Sequence, residues 1–275
     1  MKKNKIITSL ILTTGIVLAA EKISYAADND LNRERSANVE ITEGSGGDAN
    51  PIDPYPPTGP IVPVVGSLGI SSATDLYFDA IPLSSSKVTR DALYLRKDNA
   101  TGEVSPISNI TGENGNLPEV PSDANTYVPG YSVIDTRGTG AGWTLTLTLG
   151  DFIQQNVASG ATAQTLKGAT LSFPQVNAIT NKDAVGVENK DPKVSAQILT
   201  AGDTSSKVLM AASNQGEGMG MWEARYHSRE LTLSDDTVVA KAPIQLTVPG
   251  NNYAGVYKAD LTWNLTDTPR ATNAQ

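Results

Sequence analysis

Three tryptophans, Trp143, Trp222 and Trp263, are the side chains of this 275-residue sequence best equipped for contact chemistry. An indole offers a flat π face, a large apolar area and one N–H donor. Two of them open a W-x-L pair, Trp143 with Leu145 and Trp263 with Leu265. Side chains in a strand alternate between faces, so Trp143, Leu145, Leu147 and Leu149 share one side and Thr144, Thr146 and Thr148 the other. The same rule puts Tyr257, Ala259, Leu261, Trp263 and Leu265 opposite Lys258, Asp260, Thr262 and Asn264. Each run then has an apolar face and a wet one. Two uses fit this pattern. Either the tryptophans are core residues, each burying on the order of 200 Å² with its N–H on a backbone carbonyl, or at least one lines a shallow groove where a sugar ring or a partner's side chain packs. Partial exposure of Trp263 favours the second.

The remaining groups with chemical potential point away from catalysis. His227 is the only histidine and cysteine is absent, which removes thiol nucleophiles, thiolate metal sites and any site needing two imidazoles. No nucleophile elbow accompanies His227, and a place at a strand edge accounts for it. The run Gly138-Thr139-Gly140-Ala141-Gly142 has the glycine density of a phosphate-cradling loop, but such loops open a helix, whereas strand alternation follows here. The glycines are read instead as a bulge or a close backbone approach beside Trp143, and Gly216-Glu217-Gly218-Met219-Gly220-Met221 before Trp222 repeats the arrangement. Both turns are expected at one end of the domain. Glu217, Asp235 and Asp236 read as turn residues rather than a glycosidase pair. Asp48, Asn50 and Asp53 supply oxygen ligands for calcium, yet the intervening prolines hinder a closed loop. No catalytic residue, cofactor or metal is expected.

The elements that must position the tryptophans follow from the texture of the chain. MKKNK, an apolar stretch over Ile6–Ala20 and Ser24-Tyr25-Ala26 have the charge, length and small residues of a signal peptide, with removal expected after Ala26. The apolar run is too interrupted to span a membrane, which takes roughly 20 residues. Losing four lysines and Glu21 takes the formal charge from −8 to −11. Such acidity, with no basic cluster, excludes nucleic acid as a partner. It also means that affinity for anionic wall polymers must come from local stacking and hydrogen bonds. Residues 27–66 form a polar, proline-rich leader with six prolines between Pro51 and Pro63, an extended spacer. Within it residues 38–42 are either a strand docking onto the domain or part of a disordered leader.

Residues 67–270 show short runs of Val, Ile, Leu, Thr and Tyr separated by Gly, Asn, Asp and Ser, with no sustained helical period. The expected fold is all-β, a single β-sandwich or barrel-like domain. Strands are predicted at 92–96, 132–136, 142–149, 170–173, 207–211, 221–226, 230–233, 244–248 and 255–265. Residues 271–275 are a tail, and TDTPRATNAQ holds neither an apolar stop-transfer stretch nor a sorting motif, so no covalent anchor is expected.

Taken together, the run Thr136 to Leu145, the stretch Leu166-Lys167-Gly168-Ala169-Thr170-Leu171, the glycine-rich lead into Trp222, and Tyr257 with Leu261-Thr262-Trp263-x-Leu265 and Pro269 resemble the WxL-domain surface proteins of low-GC Gram-positive bacteria. The resemblance implies non-covalent attachment to the cell wall through peptidoglycan, and association with WxL-interacting membrane proteins and other WxL proteins. By motif it marks Trp143, Leu145, Trp222, Tyr257, Trp263 and Leu265 as candidate binding residues. An adhesin for host or plant extracellular matrix is the alternative reading, and a wall-modifying glycoside hydrolase a more distant one.

Overall fold

The computed structural model describes residues 58, 64, 66–107, 125–180, 190–227, 229–232 and 238–267, all within the second of two compact units, Thr42–Gln275. The expected signal peptide, the strand read at 38–42, the calcium candidates Asp48, Asn50 and Asp53, and the Asp235-Asp236 turn lie outside the described residues.

These residues form strands and loops with no helix. In chain order the strands are β1 Leu68–Ala73, β2 Val88–Ala92, β3 Tyr94–Lys97, β4 Val104–Ile107, β5 Thr126–Tyr127, β6 Gly130–Asp135, β7 Trp143–Leu149, β8 Ile153–Gln154 and β9 Thr170–Phe173. There follow β10 Ala178–Ile179, β11 Lys193–Val194, β12 Gln197–Thr200, β13 Lys207–Ala212, β14 Gly220–Arg225, β15 Arg229–Thr232, β16 Val238–Val248, β17 Tyr257–Lys258 and β18 Leu261–Thr266. The all-β class is as expected, but the single sandwich resolves into five small antiparallel sheets. One has the order β1-β6-β14-β10, a second β11-β13-β7-β18, and a third β12-β9-β16-β15 with β2 also on β16; β17-β8 and β4-β3-β5 are smaller.

The pairings within these sheets are irregular. The ladders carry register shifts between Ile70 and Ser72, between Val208 and Met210, and between Ala242 and Gln245. The last of these contains Pro243, which has no N–H to give to a ladder. There β16 passes from pairing with β15 to pairing with β2 and β9. Such bulges bend a strand and increase its twist without ending the sheet.

Three of the sheets nevertheless share one core, in which Tyr131, Val133, Trp222 and Ala224 of the first face Trp143, Leu145, Leu147 and Leu209 of the second and Leu171, Phe173 and Ile244 of the third. Tyr131 and Tyr226 join hydroxyls at 3.3 Å, and Tyr131 donates to the Leu209 carbonyl. Burial pushes the Tyr226 phenol up to about 12 and that of Tyr131 well above its ordinary range. Both therefore stay neutral donors in the core.

The two W-x-L runs are neighbours. β18 lies antiparallel on β7 with Leu265 opposite Leu145, Trp263 opposite Leu147 and Leu261 opposite Leu149. The predicted alternation holds in β18, where Leu261, Trp263 and Leu265 are half-buried and Thr262, Asn264 and Thr266 exposed. In β7 it does not, because Thr144 and Thr146 are buried as deeply as the leucines. β7 lies between β13 and β18, whereas β18 is the last strand of its sheet among the described residues.

The predicted strand 255–265 is broken into β17 and β18 at Ala259-Asp260, opposite the break between β7 and β8. There the Gly150 N–H donates to the Asp260 carbonyl at 2.9 Å. The alternation of faces continues across the break, from Tyr257 through Leu265.

The two glycine-rich turns meet, as expected. Gly216 donates to the Gly140 carbonyl at 2.9 Å, and the Trp143 indole donates to the Gly218 carbonyl at 3.0 Å. The Trp222 indole donates to Met219 at 2.8 Å in the same turn. Gly218 has a φ of +69°, and a Cβ there would stand 2.8 Å from the Trp143 indole nitrogen, so this position demands glycine. On the other side the Arg137 guanidinium grips the buried Asp135 carboxylate through two nitrogens and the Gly142 carbonyl at 2.9 Å. The loop entering β7 is thereby fixed.

Trp143→Ala is expected to cost about 3–5 kcal/mol, a large share of the roughly 5–15 kcal/mol that holds a domain. Trp143→Phe keeps most of the volume but leaves the Gly218 carbonyl without its donor, and should cost about 1–3 kcal/mol. Chemical denaturation of the two variants checks both values; a wild-type midpoint for Trp143→Phe would remove the indole hydrogen bond from the account.

Candidate functional site

Beside β18 runs a groove of about 1480 Å³. One wall is the connection between β1 and β2, which carries Leu76, Tyr77, Phe78, Ile81 and Leu83; the other is the chain from Asn252 to Trp263. Its floor is a small apolar cluster in which Phe78, Ile81, Phe152 and Tyr257 pack on Leu166, Leu246 and Val248.

Apolar side chains concentrate at its rim. Tyr77, Leu83, Tyr253 and Val256 are exposed by 39, 68, 68 and 65 % and all line it. The other two large apolar side chains exposed among the described residues, Ile153 and Ile198, do not. A folded protein has a cost for each such group left in water. Their gathering at one concave site is the kind of patch that marks an interaction surface.

The walls are held by backbone contacts. Gly250 approaches so near the opposite wall that a Cβ would lie 2.4 Å from the Ser85 carbonyl carbon, and Asn251, at a φ of +63°, donates its N–H to Ser84 at 2.9 Å. The Gln155 N–H donates to the Val256 carbonyl at 2.7 Å, and the Gln154 amide reaches the Ala254 carbonyl at 3.2 Å. The Tyr257 hydroxyl donates to Tyr253 at 2.9 Å. The site is thus a built groove, with both ends of the Asn252–Val256 loop tied down.

Trp263 enters it from the edge strand. Its ring packs at a tilt on Tyr131, centroids 5.1 Å apart, and it lines the groove while remaining half-buried. Among the six motif residues the structure separates two groups. Trp143, Leu145 and Trp222 are buried in the shared core, so they can serve a ligand only by holding the fold that presents it. Tyr257 and Trp263 line the groove. Leu265 is half-buried farther along β18 and packs against the core.

Sequence reasoning passed over Tyr77, Phe78, Phe152 and Tyr253. The signal for the first two is the run Asp75-Leu76-Tyr77-Phe78-Asp79-Ala80-Ile81-Pro82-Leu83, dense in large apolar residues yet without alternation. A segment of that kind packs without joining a ladder.

Polar groups complete the groove. Gln155, Asn156 and Asn252 line it with amides that both donate and accept. Among the described residues Asp75, Asp79 and Asp260 contribute carboxylates and Lys258 an ammonium. His227 lies elsewhere, its Nδ1 3.5 Å from the buried Tyr94 hydroxyl and its ring edge-on to that tyrosine. Burial, then the nearby Arg225, holds its pKa below the usual histidine range. Glu217 is a turn residue as expected: its carboxylate accepts the N–H groups of Ser213 at 2.8 Å and Asn214 at 3.0 Å. Among the described residues no group of three or more acidic, histidine or cysteine side chains is placed to hold a metal ion.

The chain matches the model of the WxL domain, described as surface cell wall-binding, over residues 28–269. It belongs to that family. Its place is therefore the cell surface, and its partner the cell wall. No curated protein and no solved structure matches it.

Because Trp143 and Trp222 are buried and Trp263 is not, intrinsic fluorescence should report the groove selectively. Acrylamide is expected to quench one emitting component readily and to leave the rest protected, and Trp263→Phe should abolish the quenchable part. Loss of that part in Trp143→Phe instead would reverse the assignment.

Proposed function

We propose that this is an exported, non-catalytic surface protein whose signal peptide, residues 1–26, is removed and which is then retained on the Gram-positive wall by non-covalent contact with peptidoglycan. The observation that carries this reading is the aromatic groove at Trp263 in a member of a wall-binding family. Retention without a covalent bond needs a surface that can desolvate a ligand over many weak contacts. The groove supplies one, with aromatic rings that bury large area at low entropic cost and amides that fix orientation.

Association with companion WxL-interacting membrane proteins and other WxL proteins is part of the same proposal. It is supported by β18, which ends its sheet among the described residues and carries Leu261, Trp263 and Leu265 only half-buried, an apolar stripe suited to a partner's strand or apolar face. With a formal charge of −8 on the whole chain, long-range attraction to an acidic partner contributes little.

Mature protein mixed with purified walls from which other proteins have been stripped is expected to sediment with them. Moderate salt should leave it there, because stacking and neutral hydrogen bonds are weakly screened, and denaturant should release it intact. Protein that stays in the supernatant, or that leaves the wall only when the wall is digested, contradicts the proposal.

A further inference from the structure

We propose that the groove beside β18 takes the glycan strand of the wall, an uncharged amino-sugar polymer laid with its ring faces on Tyr77, Tyr253 and Trp263, and that it turns away anionic phosphate polymers. The inference rests on the wall-attachment reading above and names the site and the ligand class for it.

Size is the first argument. Sites for small ligands occupy roughly 300–1,000 Å³, and the groove, at about 1480 Å³, exceeds them while exposing its rim side chains to solvent. A polymer crossing the groove fills it better than a small molecule held within it.

The second argument is the mixture of surfaces. A pyranose ring has an apolar face of C–H bonds whose hydrogens are slightly positive, and an aromatic ring has a negative face. Around its circumference the sugar carries hydroxyl and amide groups that both donate and accept. Tyr77, Tyr253 and Trp263 answer the faces, the Asn156 amide answers groups of both kinds, the amide oxygens of Gln155 and Asn252, whose nitrogens already donate to the Ile153 and Pro249 carbonyls, accept from hydroxyls, and so do the carboxylates of Asp75 and Asp260. A hydrocarbon chain would leave those polar groups desolvated without partners, which is costly.

Charge selects among wall polymers. Among the described residues no arginine lines the groove, and the carboxylates of Asp75 and Asp260 outnumber its single lysine. A polyphosphate would therefore meet like charge without the guanidinium fork that recognises phosphate. The uncharged glycan meets no such penalty.

The test uses the full mature chain, with the hexamer of N-acetylglucosamine as the soluble probe and polyglycerol phosphate as the counter-probe. Calorimetry should show saturable binding of the hexamer, and the hexamer should shield Trp263 from acrylamide. Tyr253→Ala and Tyr77→Ala should each weaken that binding by about tenfold. The melting temperature of Tyr253→Ala should stay at the wild-type value, because a ring 68 % exposed leaves no cavity when removed, and that of Tyr77→Ala, 39 % exposed, should fall only slightly. Polyglycerol phosphate should neither bind in the groove nor displace the hexamer. Displacement by polyglycerol phosphate, affinity unchanged in both variants, or no saturable hexamer binding overturns the proposal. So does shielding of Trp263 by a strand-forming peptide but not by the hexamer. Wall sedimentation run in parallel separates the two readings: walls bound without hexamer binding remove the glycan groove alone, whereas walls not bound remove the attachment reading itself.

Discussion

The strand β7 sets the terms for the rest of the molecule, because it is paired along both edges and buried on both faces. A strand in that position has no tolerance for slippage, since a shift of one residue would exchange its leucine face for its threonine face along its whole length. Its register is held from three directions. The Trp143 indole is anchored on the Gly218 carbonyl, the Arg137 guanidinium closes the entry loop on Asp135 and Gly142, and β18 returns from more than a hundred residues away to pair with it over six positions. The glycines of both turns belong to this requirement. They let two loops come within backbone hydrogen-bonding distance under an indole ring, where side chains would keep them apart.

From that constraint the two W-x-L pairs acquire different work despite their shared spacing. Trp143 sits on an inner strand and is wholly buried; Trp263 sits on the last strand of the same sheet and meets the groove. Identical local pattern gives identical facing, as strand geometry requires. Position in the sheet, which the pattern does not encode, decides exposure. The groove is tied to the same strand, because β8 pairs with β17 and the Gly150 N–H donates to the Asp260 carbonyl between β17 and β18.

Much of this was legible in the chain. The all-β class followed from the short alternating runs, and the ranges at Thr170–Phe173 and Trp143–Leu149 lie within a residue of those expected. That the two glycine-rich turns lie at one end was readable from their common lead into a tryptophan; that they hydrogen-bond to each other was not. Other features were hidden for physical reasons. Strands of two residues such as β8, β10 and β11 carry no periodicity to detect. The register shifts are equally hidden, and of these only the one at Pro243 has a marker in the sequence. The burial of Thr144 and Thr146 could not be read from an alternation that looks amphipathic, because a threonine suits a covered face nearly as well as an open one once its hydroxyl finds a carbonyl, as that of Thr146 does on Asn264. The groove joins segments nearly two hundred residues apart, and one of its walls is not a strand.

The central claim is that one face of this fold, the groove at Trp263, meets the wall while the other two tryptophans hold the core. Hydroxyl-radical footprinting read by mass spectrometry tests it most directly, with the protein free and then bound to purified walls. The account predicts that free protein is oxidised at Trp263, Tyr77 and Tyr253 but not at Trp143 or Trp222, and that wall binding suppresses oxidation at those three. Wall-bound protein still oxidised at Trp263, Tyr77 and Tyr253 as fast as free protein would contradict it.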